Sequence, residues 1–302
     1  MENEYRHTDF TELAKTLNYN LKNYEGLTKQ IVQTTNRAHS YDIDPAHEAI
    51  LHGERDKSGK MKFQGLEQIK DKQSRKLHKL VDEWPVYSDW LAKIPGIGGY
   101  IAAKLIRLYY FKFIAICKDC GADLDDDFIC IVCKKKAFGM GNLLHRVELR
   151  DFPAISSWWH FMGRHNDGTG KMPKSRKGEM ADWSHAGRKT GFDIKEAFNK
   201  QDNLYKRYAE KRKAYRRNTH PDATKGYQHN MAWNETVKLF LSHFWQVART
   251  LDGLPLTDPW AIKHGGHDKS SIIAPYYWVG IEIDPEYFQI AKSRIEGLQS
   301  NK

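Results

Sequence analysis

Apolar residues recur at near-helical spacing in several windows of the chain. Leu13, Leu17, Leu21 and Leu27, with polar residues between them, predict a helix over 8–36. Leu66, Ile69, Leu77 and Leu80 form a second stripe, predicting a helix from Leu66 to about Glu83, which Pro85 ends. Between them, HGERDKSGKMK reads as an exposed loop. The broadest apolar face belongs to Gly226–Leu251, through Trp233, Val237, Phe240, Leu241, Phe244 and Val247. A basic helix is predicted over 192–217, preceded by a long basic loop from Asn166 to Thr190. Residues 252–275 read as irregular, and YYWVGIEIDPEYFQIAKSRIEGL as a strand followed by a helix.

The pattern predicts a mainly α fold. It consists of a helical arm over 1–86, a helix-hairpin-helix domain over 87–275 with a small β zinc ribbon inserted at 113–137, and a β-α tail over 276–302. The first two helices also suit two surface helices of a bundle.

All four cysteines lie in one window, CKDCGADLDDDFICIVC. Cys117 and Cys120 form one Cys-x2-Cys pair, and Cys130 and Cys133 the other. Each such turn can place two thiolates on one side of a metal, and two turns close a tetrahedron around Zn²⁺. Gly121 stands where a knuckle often needs positive φ. Four thiolates leave no open position, so the expected zinc is structural. The competing reading is four free buried cysteines. Asp125, Asp126 and Asp127 are expected at a solvated loop tip.

DWLAKIPGIGGYIAAKLI has the form of a helix-hairpin-helix. A short helix is expected to end near Lys93, Pro95 stops it, and Gly96 and Gly98 permit the tight turn. The next helix is expected to start near Gly99, where free N–H groups can hold a phosphate, with Lys93 and Lys104 adding charge. Such a hairpin grips the DNA backbone without reading bases. A hairpin used only for packing is the competing reading.

The formal net charge is +10, which speaks to partners rather than fold. Nucleic acid is the commonest acidic partner. Lys171, Lys174, Arg176, Lys177, Arg188 and Lys189 fall in the basic loop. The following helix adds Lys206, Arg207, Lys211, Arg212, Lys213, Arg216 and Arg217, interleaved with Tyr205, Tyr208 and Tyr215. A solvated helix face with tyrosines turned inward is the alternative. No secretory signal or membrane-spanning run is visible, so an intracellular, cytoplasmic and nucleoid-associated protein is expected.

Taken in order, these segments resemble the C-terminal half of the insertion sequence 110-type (116/110/902) transposases, which act with a bridge RNA. The resemblance covers roughly 65–275 and rests on PVYSDWLAKIPGIGGYIAAKLI, FPAISSWWHFMGRH and HNMAWNETVKLFLSHFWQVARTLDGLP. It implies a DNA-binding protein of a mobile element, with structured RNA as a further candidate partner and a homo-oligomeric state. Full-length members begin with a ribonuclease-H-like catalytic domain, for which the N-terminal part here is too short and too helical. They also carry a serine nucleophile in a Gly-containing loop, corresponding here to GRHNDGTGK, with Thr169 in place of the serine and Ser175 further on. His165 and His185 are the nearest histidines to serve as a base. The tail is similar to the last strand-helix unit of DNA amino-methyltransferases, where Glu282 or Asp284 would hold the ribose of S-adenosylmethionine.

The expected function is therefore nucleic-acid binding by a transposase-related protein, with binding at Gly96, Gly98, Gly99, Lys104, Lys171, Lys174 and Arg176, and zinc at the four cysteines. Whether it is an enzyme stays open. The alternatives are an active serine/threonine-type recombinase, a DNA methyltransferase fragment and a zinc-dependent scaffold that binds only protein.

Overall fold

A computed structural model describes residues 10–40, 45–125, 129–136, 144–166, 171–266, 268 and 272–275. The strand-helix tail, Thr169, Asp126 and Asp127 lie outside the described residues. The described chain is mainly helical, with two small antiparallel sheets. It divides into two compact units, Met1–Val81 with Ala102–Asp151, and Asp82–Ile101 with Phe152–Lys302. Among the described residues no helix is long and apolar enough to cross a membrane.

In the first unit, helix α1 (Phe10–Ser40) buries Ala14, Leu17 and Leu21 along one face. After α2 (Pro45–His52), the segment expected as a loop forms a small hairpin, β1 (Glu54–Arg55) against β2 (Met61–Phe63). Its turn is built by Asp56, whose carboxylate accepts from the Ser58 N–H at 2.9 Å and the Lys60 N–H at 3.0 Å. Lys62 pairs with Glu54 across the strands at 2.6 Å.

Helix α3 (Leu66–Asp82) buries Gln73, Leu77 and Val81, a face slightly rotated from the expected stripe, so that Leu77 is buried as expected, Leu66 and Leu80 are half-buried and Ile69 faces solvent. The reason is polar. The Gln73 amide donates to the side-chain oxygen of Asn20 at 2.7 Å and to its carbonyl at 3.0 Å, fixing which face of α3 meets α1. On α4 (Gly99–Tyr110), Arg107 likewise donates to Asn18 at 2.5 Å and lies over the Phe113 ring at 5.1 Å. β3 (Phe111–Ile116) then pairs with β4 (Leu144–Leu149) from Phe111↔Leu149 to Ile116↔Leu144. This ribbon carries the cysteine window at its far end.

The second unit is organised on α8 (Lys225–Leu251), which starts on a Thr224 cap accepting from the Tyr227 N–H at 3.2 Å. Apolar residues fall on more than one side of α8, as in a helix surrounded by protein. Phe240 is its centre: Trp90 stacks on it at 5.7 Å, and Phe198 and Tyr205 meet it edge-on, each at 5.2 Å. Trp158, from α5 (Ile155–Phe161), lies 6.0 Å from Phe244. Trp90 ends a π-helical turn (Val86–Trp90) that runs into a 3-10 turn (Leu91–Lys93).

The single basic helix expected over 192–217 is two helices, α6 (His185–Lys200) and α7 (Leu204–Thr219). Asn203 separates them, capping α7 through Lys206 N–H at 2.8 Å and donating to the Pro95 carbonyl at 3.1 Å. α6 begins well inside the expected basic loop because Ser184 caps it, accepting from the Gly187 N–H at 3.0 Å. Its glycines are packing positions. A Cβ at Gly187 would meet Met162 Sδ at 2.9 Å, and one at Gly191 would meet the Arg164 guanidinium at 2.4 Å. A short helix, α9 (Trp260–Lys263), interrupts the stretch expected to be irregular.

Candidate metal centre and basic surface

The two cysteine turns share one hydrogen-bond pattern. The Cys117 N–H donates to the Ala122 carbonyl at 2.7 Å, and the Cys117 carbonyl accepts from the Gly121 N–H at 2.9 Å. The Cys130 N–H donates to the Lys135 carbonyl at 2.9 Å, and the Cys130 carbonyl accepts from the Lys134 N–H at 3.1 Å. Each turn closes on a left-handed residue, Gly121 at φ 74° and Lys134 at φ 58°. A Cβ at Gly121 would meet nothing, so the glycine there serves backbone conformation alone.

These turns converge. Cys117 Sγ lies 3.5 Å from Cys133 Sγ, and Cys120 Sγ 3.4 Å from Cys130 Sγ. All four sulfurs lie within 4.8 Å of one another. The separations are far beyond an S–S bond of about 2.05 Å. They approach the edge of roughly 3.8 Å expected for a tetrahedron with metal–sulfur bonds of about 2.3 Å. The Cys133 N–H donates to Cys130 Sγ at 3.3 Å. Burial opposes ionisation of Cys130, but backbone N–H groups of Cys133 and Val132 and the neighbouring thiols outweigh it and bring the thiol down to about 6. Asp119 and Lys135, one beside each turn, pair at 2.7 Å. The four cysteines can thus hold a metal ion. Asp125 is occupied otherwise, accepting from the Ile129 N–H at 2.8 Å.

Of the residues expected at nucleic acid, Lys171, Lys174 and Arg176 are exposed. The base of their loop is tied down by two arginines the sequence did not single out in that role. Arg188 donates to the Pro173 carbonyl and lies over the Trp183 ring at 4.6 Å. Arg164, 7% exposed, donates to Asn234 at 3.2 Å and approaches Met172 Sδ at 4.0 Å. Burial, and then Arg188, bring the Arg164 pKa down to about 10. Gly96 has φ 98° and lies close to the Ala197 carbonyl, 3.1 Å from where a Cβ would sit, while Gly98 is exposed and Gly99 buried.

Lys104 is a correction. Its side chain is 5% exposed and pairs with Glu25 at 4.0 Å, so it offers no surface charge. Part of the basic helix is also internal in purpose. Arg212 and Arg216 both pair with Glu235 on α8, Arg216 through Nε at 2.8 Å. Lys213 pairs with Glu210 at 2.6 Å and lies over Trp233 at 5.6 Å. Lys189 pairs with Asp193 at 3.1 Å. Lys211 and Arg217 remain exposed.

Neither histidine weighed as a base is hydrogen-bonded to Ser175 among the described residues, and Thr169 lies outside them. His185 lies against Trp183 at 4.6 Å, and His165 stacks on His160 at 3.9 Å. No carboxylate is hydrogen-bonded to Ser175 among the described residues either. No family model, no curated protein and no solved structure matches the chain.

Proposed function

We propose that this chain is a nucleic-acid-binding protein of the transposase kind, whose cysteine cage takes a structural zinc ion. The exposed cationic loop carries the reading. Lys174 and Lys177 have no carboxylate within ion-pairing distance among the described residues, and Arg176 has only the exposed Glu179 at 3.6 Å. In a chain of net charge +10, such cations on a loop anchored by Arg164 and Arg188 suit the spaced charges of a phosphate backbone. The turn from Leu91–Lys93 to the start of α4, with Gly96 in the left-handed region and Gly98 exposed, suits a helix-hairpin-helix that contacts phosphate through backbone N–H groups. DNA is the expected ligand, with structured RNA as the second.

Sulfur ligands favour a soft or borderline ion, and four thiolates leave no position for water, so zinc here would hold the ribbon together and do no chemistry. A transposase-like activity at Ser175 would need a base from elsewhere, since no histidine or carboxylate is hydrogen-bonded to Ser175 among the described residues.

The test is a salt titration of binding by metal-loaded full-length chain to duplex DNA, single-stranded DNA and structured RNA. Affinity should fall steeply with salt, by a log–log slope of about 0.9 for each duplex phosphate neutralised. Replacing Lys174, Arg176 and Lys177 with Ser should flatten that slope. Absence of binding to all three ligands at low salt would overturn the reading and favour a scaffold that binds only protein.

A further inference from the structure

A second group of metal-ligating side chains lies in the second unit. His160 sits near the end of α5, His165 follows the turn after it, and Asp182 precedes the Ser184 cap of α6. One ligand atom from each lies within 4.8 Å of the others. We propose that these three residues bind a first-row divalent metal ion.

The backbone builds this juxtaposition. Gly163 and Arg164 donate to the carbonyls of His160 and Trp159 at 2.9 and 2.8 Å, curling the chain so that His165 returns over His160. The Ser184 N–H donates to the Phe161 carbonyl at 2.8 Å, which brings in the segment bearing Asp182. Gly163 has φ 61°, and a Cβ there would meet Trp183 at 2.9 Å. The glycine therefore both permits the turn and lets the neighbour of Asp182 lie flat upon it. Arg188 covers that same indole at 4.6 Å.

The donor set suits a metal. His160 Nε2 lies 3.1 Å from Asp182 Oδ2, close to the roughly 3.3 Å between nitrogen and oxygen ligands of a tetrahedral zinc. Among the described residues His165 Nδ1 is buried without a hydrogen-bond partner, a polar atom whose burial costs free energy until something binds it. The two imidazoles now stack with 10° between their planes, so the rings must splay for both to point lone pairs at one ion. Both side chains are only partly covered, which leaves room for that rotation. Two imidazoles and one carboxylate compensate one charge of a divalent ion and leave at least one coordination position open, unlike the cysteine cage.

The test uses full-length chain without a polyhistidine tag, stripped of metal under reducing conditions and titrated with zinc or cobalt(II) alone. Two ions per chain are expected. The cysteine cage should give the intense thiolate-to-cobalt charge-transfer bands, and the second ion only weak visible bands. Asp182→Asn and the double variant His160→Ala/His165→Ala should each bind one ion and keep the charge-transfer bands. Asp182 is exposed, so its variant tests the site even where the double variant fails to fold. A single ion per chain in the wild type, or a second ion that both variants retain, would overturn the proposal.

Discussion

Acid should weaken the second unit through one buried side chain. His243 is 1% exposed on α8, with Nδ1 2.8 Å from the Tyr205 hydroxyl and Nε2 3.0 Å from the Ile273 carbonyl. A carbonyl only accepts, so Nε2 carries the proton and Nδ1 accepts from the tyrosine. Burial pushes the His243 pKa down from 6.5 to about 4. The unfolded chain therefore takes up a proton, between those two values, that the folded chain refuses. The sign follows: stability from neutral His243 is complete above the unfolded pKa and is lost as pH falls towards the folded one. The whole shift corresponds to about 3 kcal/mol, and at about pH 5 some 2 kcal/mol of it is gone. His243→Gln keeps an N–H for Ile273 and does not titrate. In urea unfolding at about pH 7.5 and about pH 5, the wild type should lose about 2 kcal/mol more than this variant. Equal losses in the two proteins would refute the reasoning.

Cys130→Ser should abolish metal binding at the cage and open the ribbon, read as new protease cleavage between β3 and β4 with helicity elsewhere retained, since a cage of four thiolates is completed only by all of them. Lys134→Gly should stabilise the ribbon by up to about 1 kcal/mol, because φ 58° strains a side-chain-bearing residue, and the gain should show as slower loss of metal to a chelator. Phe240→Ala should cost about 3–5 kcal/mol in urea unfolding, because Trp90, Phe198 and Tyr205 all pack on that ring.

Features written in local spacing were legible in the sequence. The Cys-x2-Cys pairs converge because each knuckle is made by hydrogen bonds within a few residues. Helix α8 keeps nearly the expected bounds because its own apolar face determines it. Features decided by a distant partner were hidden. Nothing near Gln73 announces that Asn20 will bury it, and nothing in α7 shows that Glu235 will claim Arg212 and Arg216. The start of α6 was obscured by Gly187 and Gly191, whose composition suggests a loop but whose missing Cβ atoms make room for Met162 and Arg164. The cluster of His160, His165 and Asp182 was missed for a related reason: the histidines are neighbours in sequence, but Asp182 joins them through the Ser184–Phe161 hydrogen bond and the approach of Trp183 to Gly163.

The way the chain is shared between its units bears on how it is made. It crosses from one to the other three times, after Val81, after Ile101 and after Asp151. Neither unit is a continuous stretch, so no single cut releases either one whole. On a ribosome, the helices before Val81 emerge first but must wait for Ala102–Asp151 before their unit is complete. Residues 82–101, already outside, must wait for everything after Asp151. The two units therefore mature in overlapping rather than successive intervals, and a pause in translation between Ala102 and Asp151 leaves unburied surface in both.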